Sequence, residues 1–173
     1  MRFGQGTTPA TRQSWTNTPL PEKRSRLALR REFTEGEYEA IRHGLVPEQM
    51  EDKWFIFLEA DTLYFHRSWT GHCIFQLTLT RTGENYAVSD ALVNRDAGQY
   101  GGTDDVYDVR LLTYLINNLL LGGRTMLPTP PGIAAGIQTD LYHHHVAGAG
   151  RRAAETPGEK RKGGWLRRWL KRG

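Results

Sequence analysis

Residues 54–80 read WFIFLEADTLYFHRSWTGHCIFQLTLT, and this run decides the fold. Trp54-Phe55-Ile56-Phe57-Leu58 is a continuous apolar and aromatic stretch of strand length, the pattern of a strand covered on both faces. Asp61-Thr62 has turn chemistry and Leu63-Tyr64-Phe65-His66 is strand-like again, which predicts a hairpin. Ser68-Trp69-Thr70-Gly71 supplies the next turn. From His72 to Thr80, Cys73, Phe75, Leu77 and Leu79 alternate with His72, Gln76, Thr78 and Thr80, the period of a half-buried strand; Ile74 is an apolar exception on the more polar face. Arg81-Thr82-Gly83-Glu84 turns the chain into a fourth strand, Tyr86 to Val93.

Outward from this core, both sides predict a helix. Thr34 and Glu37 have the spacing of a capping box, in which hydroxyl and carboxylate each satisfy an orphan helix-end amide, so a short helix is expected from Glu35 to His43, stopped by Gly44. On the other side, Thr103 reads as an N-cap with Asp104 and Asp105 in the first turn of a helix running to Leu121. Its apolar positions, among them Val109, Leu112, Ile116 and Leu120, make a face broad enough to cover a sheet. The expected fold class is α+β: a four-stranded antiparallel meander with a short N-terminal helix and a long C-terminal helix packed on one face, αββββα.

Charge divides the 173 residues in the same places. Residues 1–33 carry seven Lys/Arg against two Asp/Glu, residues 34–123 six against fourteen, and residues 124–173 ten against three, for nets of +5, −8 and +7. The first segment is rich in Thr, Pro, Arg and Ser without an apolar period and is expected to be a disordered basic arm. Residues 34–123 are the α+β domain, 124–162 a flexible linker and 163–173 a basic amphipathic tail. Because the basic charge lies outside the folding segment, polyanion binding is expected of the flanks alone. The single cysteine, Cys73, excludes an intramolecular disulfide and fits a reducing cytoplasm. No signal-peptide-like or membrane-spanning run is present in the sequence.

The segment from Met50 to Gly122, with EDKWFIFLEADTLYFHRSWTGHCIFQL and VNRDAGQYGGTDDVYDVRLLTYLINNLLLG, resembles an uncharacterised family of short bacterial proteins and domains. That family is associated with ADP-ribosylglycohydrolase-type proteins, whose enzyme part has no counterpart in these residues. The resemblance implies the fold and a bacterial source; it transfers no catalytic residue.

The densest polar and aromatic cluster is His66-Arg67-Ser68-Trp69-Thr70-Gly71-His72-Cys73. Arg67 offers a planar fork for phosphate or carboxylate, Trp69 a stacking face, Ser68 and Thr70 hydroxyl donors, and Arg95 approaches from a neighbouring loop; together with His66 these are the candidate ligand-binding residues for a nucleotide-like molecule. The competing structural reading packs Trp69 over the hairpin, gives Gly71 a positive φ and pairs Arg67 with Asp52 or another acid.

His72 and Cys73 are strand neighbours that face opposite ways, so no metal site is expected of them, and His143-His144-His145 has no carboxylate or thiolate framework around it. No cofactor is implied. The loop 94–102 precedes a helix N-terminus, but Asp104 and Asp105 already occupy that positive end. Ser68, His66 and Asp96 form a hydrolytic set on paper only, with no nucleophile elbow or paired carboxylates to support it.

If the tail is helical, Trp165, Leu166, Trp169 and Leu170 are expected to share one face while Arg167, Arg168, Lys171 and Arg172 occupy the other. The candidate contacts expected for it are an anionic membrane surface, nucleic acid or the protein's own acidic domain. The leading expectation is a small non-enzymatic binding or regulatory domain with the Arg67–Trp69 turn as contact surface. The alternatives are a small enzyme or accessory domain acting on a nucleotide or ADP-ribose-type ligand, and a peripheral membrane protein anchored by its tail.

Overall fold

A computed structural model describes residues 8–131. In chain order these form a short 3-10 turn (Arg12–Ser14), β1 (Arg24–Arg26), β2 (Glu32–Phe33), α1 (Glu35–His43), β3 (Trp54–Glu59), β4 (Thr62–Arg67), β5 (Cys73–Thr82), β6 (Asn85–Asn94), α2 (Asp105–Leu115) and a π-helical turn (Ile116–Leu120). The protein is α+β, built on one antiparallel sheet and two helices.

The sheet runs β1-β6-β5-β4-β3, and β2 pairs with the same β6, so one edge is shared end to end by two short strands. Arg24 stands opposite Asn94 and Arg26 opposite Leu92, while Glu32 and Phe33 stand opposite Ala87 and Tyr86. The four expected strands are therefore part of a six-stranded sheet. The expected disordered arm is corrected from residue 8 onward: its backbone completes the ladder of β6, Leu20, Leu27 and Phe33 are buried, and Leu27 and Phe33 join the main core. Three widely spaced apolar anchors and backbone pairing offset the ordering cost that the composition alone suggests is unmet.

Alternation sends Trp54, Ile56, Leu63, Phe65, Phe75, Leu77, Ala91 and Val93 to one face, where they pack with Ile41 of α1 and with Leu111, Leu112, Leu115 and Ile116. A bulge between Phe65 and His66 turns Ile74 into this core, which removes the exception noted in the alternation. The opposite face of β3 and β4 carries Phe55, Phe57, Tyr64 and His66. Here residues 10–18 act as a strap. Ala10 packs on Phe55 and Phe57, and its N–H donates to the His43 carbonyl at 2.9 Å. The Arg12 guanidinium stands 5.2 Å from the centres of both the Phe57 and Tyr64 rings and pairs with Glu59. The Thr18 N–H donates to the Gly71 carbonyl at 2.9 Å.

α1 has the anticipated capping box: the Thr34 hydroxyl accepts from the Glu37 N–H at 3.3 Å, and Glu37 accepts from the Thr34 N–H at 2.9 Å. Gly44 ends it at φ +64°, where a Cβ would lie 2.3 Å from the Ile56 carbonyl oxygen and 2.9 Å from the Ala10 Cβ. For α2 the cap is Asp104 rather than Thr103; its carboxylate accepts from the Tyr107 N–H at 2.8 Å. The regular helix stops at Leu115 and widens into the π turn, where Asn117 accepts from Arg31 at 2.6 Å and Asn118 binds the backbone of Thr125. Among the described residues no helix is long and apolar enough to cross a membrane. The tail residues Trp165, Arg167, Arg168, Trp169, Lys171 and Arg172, the three histidines 143–145 and most of the expected linker lie outside the described residues.

Candidate functional site

The 67–71 turn is held from two sides by segments distant in sequence. On one side is the loop 47–53. Its Asp52 carboxylate accepts from the N–H groups of Glu48 and Gln49 at 2.8 and 3.0 Å, closing the loop on itself. The loop is then stitched to the turn: the Ser68 hydroxyl donates to the Asp52 carbonyl at 2.6 Å and the Ser68 N–H to the Lys53 carbonyl at 3.1 Å. On the other side the strap delivers Trp15, whose indole N–H donates to the Ser68 carbonyl at 2.7 Å. Gly71, at φ +74°, lets the strap pass, because a Cβ there would stand 3.1 Å from the Thr16 carbonyl oxygen.

The outcome is a corner with an apolar surface. Trp69 is 68% exposed and fixed by an indole N–H bond of 2.9 Å to the Met50 carbonyl, and Met50 itself is 75% exposed. Trp15 is 38% exposed. The Lys53 ammonium lies 4.1 Å from the centre of the Trp69 ring, and Glu48 and Glu51 flank Met50 on the exposed loop. The described residues contain five exposed large hydrophobics, and three of them belong to this turn or are joined to it by hydrogen bonds.

The structure separates the candidate ligand-binding residues into different environments. Ser68 is buried and its hydroxyl is bound to the Asp52 backbone, while Thr70 is exposed and its hydroxyl accepts from the His72 N–H at 3.3 Å. Arg67 lies over Trp54 at 4.3 Å, on the helix-covered face of the sheet. His66 points to the strap side, 1% exposed, among Phe55, Phe57 and Tyr64. Its Nδ1 is 2.9 Å from the Gly71 carbonyl. That oxygen only accepts, so Nδ1 carries the proton and Nε2 is left as a buried acceptor without a hydrogen-bond partner. Burial, and secondarily the Arg12 charge, hold the His66 pKa below its ordinary value.

Arg95 belongs to a separate buried network at the start of α2. It donates hydrogen bonds to Asp105 at 2.5 Å and to the Gly102 carbonyl at 2.9 Å, and it forms an ion pair with Asp108 at 2.6 Å. Asp108 is fully buried and accepts from the Tyr100 hydroxyl at 2.6 Å. Burial and the neighbouring Asp108 push the Tyr100 pKa far up, and the Arg67 charge opposes that. Burial acts against the Arg95 charge, but the two aspartates outweigh it.

The hydrolytic set does not assemble. Ser68 and His66 are bonded to the backbone of Asp52 and Gly71, and Asp96 accepts from the Gly98 N–H at 3.0 Å. Among the described residues no group of three or more His, Cys, Asp or Glu side chains is placed to hold a metal. Cys73 is buried and its thiol is pushed up to about 12. Elsewhere an open polar depression of about 450 Å³ lies between the start of α1 and the β5–β6 turn, lined by Thr34, Glu35, Gly36, Arg81, Glu84 and Asn85.

Trp15 and Met50 are the members of the corner that sequence reasoning missed. Each is an isolated apolar residue in a polar stretch, and an exposed anchor has no periodicity to reveal it. Comparison of the chain with protein-family models, with curated proteins and with solved structures found no match, so the resemblance drawn above rests on its quoted residues alone.

Proposed function

We propose that this domain is a non-enzymatic binding module whose contact surface is the corner formed by Trp15, Met50 and Trp69. The observation that supports it is the convergence of three exposed apolar side chains from three segments, two of them indoles already fixed by hydrogen bonds. Anchors of this kind lose little conformational freedom on binding, and Trp is enriched among residues that dominate interface energetics. Lys53 over Trp69, with Glu48 and Glu51 beside Met50, gives the apolar centre a charged rim. The nucleotide alternative is less well supported, because Ser68, His66 and Arg95 are engaged within the fold.

The test is affinity capture from the source cell with the full-length protein and with a Met50→Ser/Trp69→Ser variant. Partners retained by the wild type and lost by the variant, at unchanged thermal stability, support the corner. Identical capture by both proteins rejects it.

A further inference from the structure

We infer that, in the free protein, the Trp15–Met50–Trp69 corner is occupied by the chain's own C-terminal residues 163–173. This rests on the corner being a contact surface and names its occupant. Three observations carry it. The segment reads GGWLRRWLKRG, so it brings two Trp and two Leu for an apolar centre and four cations for a rim that carries Glu48 and Glu51 beside Lys53. The described fold, residues 8–131, carries sixteen Asp/Glu against thirteen Lys/Arg, whereas residues 132–173 carry nine Lys/Arg against three Asp/Glu, so attraction between them operates before contact. Residues 132–162 separate the described fold from the segment, and a chain of that length reaches up to about 100 Å, several times the radius of gyration of about 14 Å expected for a folded unit of this size. Connection length therefore leaves every face within reach.

The fit is specific in chemistry. The exposed edges of Trp15 and Trp69 and the Met50 thioether receive indole and leucine side chains, and sulfur–aromatic contact adds to the burial. Arg167, Arg168, Lys171 and Arg172 meet Glu48 and Glu51 at the solvent margin, where the charges act on encounter and register more than on depth of binding. A partner that takes the corner must then displace the tail, which makes the segment an intramolecular competitor for the site.

The experiment compares the indole N–H signals of the full chain with those of a chain ending at residue 162, by nuclear magnetic resonance. Each signal is assigned by single Trp→Phe substitution. The Trp15 and Trp69 signals are expected to differ between the two chains while that of buried Trp54 does not. Adding the synthetic peptide 163–173 to the shorter chain is expected to return both toward their full-length positions in a saturable manner. Glu48→Gln/Glu51→Gln is expected to weaken the peptide at least about threefold, and raising salt is expected to do the same.

Superimposable Trp15 and Trp69 signals in the two chains, or a peptide that shifts signals elsewhere, overturns the assignment. So does a difference that vanishes on dilution together with a fall in particle mass, since the occupant is then a second copy. Phosphatidylglycerol vesicles are the last arm: Trp165 and Trp169 signals that respond to vesicles alone, with the corner indifferent to the tail, show a lipid-directed segment and reject the inference. If the tail fails here while Met50→Ser/Trp69→Ser still abolishes capture, the corner stands and only its occupant is wrong.

Discussion

The Tyr100 hydroxyl donates to the Asp108 carboxylate at 2.6 Å, and Arg95 reaches the other oxygen of the same carboxylate at 2.6 Å. A fully buried acid thus has a neutral donor on one side and a cation on the other. Such a group is tolerated only while both partners are present, because low polarity magnifies the loss of either.

Removing the carboxylate is expected to cost more than removing the phenol oxygen. Tyr100→Phe leaves Asp108 bonded to Arg95 and is expected to lose about 1–3 kcal/mol, the ordinary cost of an unmet buried acceptor. Asp108→Ala deprives both partners and opens space beside the start of α2, so a loss of about 3–5 kcal/mol is expected. Urea unfolding of the two variants gives the order; equal losses would mean that Arg95 contributes nothing to holding the acid.

At Gly44 the backbone conformation and the space act together. Gly44→Ala adds a Cβ 2.3 Å from the Ile56 carbonyl oxygen at φ +64°, and should cost at least about 2 kcal/mol by forcing the Leu45–Ile56 bridge and the strap apart. Gly83→Ala is the control: φ is +65° but nothing lies within 4 Å, so only the conformational cost of about 1 kcal/mol is expected. Paired thermal melts separate strain from collision.

Stability should depend on pH through His66. Its folded pKa is depressed by burial, so the unfolded chain binds the proton more readily. The contribution is complete above the unfolded value of about 6.5 and is lost as the pH falls below it, with a slope of at most about 1.4 kcal/mol per pH unit. Glu59, held low by Arg12, acts in a separate window, its contribution being lost only at more acid pH. Denaturant midpoints measured through this range should fall for the wild type and flatten for His66→Asn; parallel slopes would assign the titration to another group.

The Cys73 thiol should be silent toward a disulfide reagent in the native protein and react at the unfolding rate in denaturant, because burial excludes the reagent and its pKa of about 12 suppresses the thiolate. Rapid native labelling would show that this end of β5 opens locally.

What the sequence made legible follows from range. The Thr34–Glu37 cap, the stop at Gly44 and the course of β3 to β6 depend on neighbours within a few positions, and residue type alone announces them. β1 was invisible because Arg24-Ser25-Arg26 has no apolar face; it exists through backbone bonds to residues about seventy positions away. The same holds at the corner. Trp69 was a candidate from its turn, but the arrival of Met50 and Trp15 beside it is a tertiary event. Arg67 reads in the sequence as a fork for an anion or an ion-pair partner of Asp52 or another acid; it lies on Trp54, and the Asp52 carboxylate closes its own loop.

Because β1 and β2 both close on β6, synthesis runs against assembly. β1 and β2, within residues 24–33, have no sheet partner until Asn85–Asn94 has been made, whereas the strap finds its partners earlier, in His43, β3, β4 and the 67–71 turn. Pairings this distant impose loop closure before any reward, which slows the search and leaves sheet edges uncovered in the meantime. In a nascent chain residues 24–33 are therefore an unpaired segment, and they join the sheet only at the end.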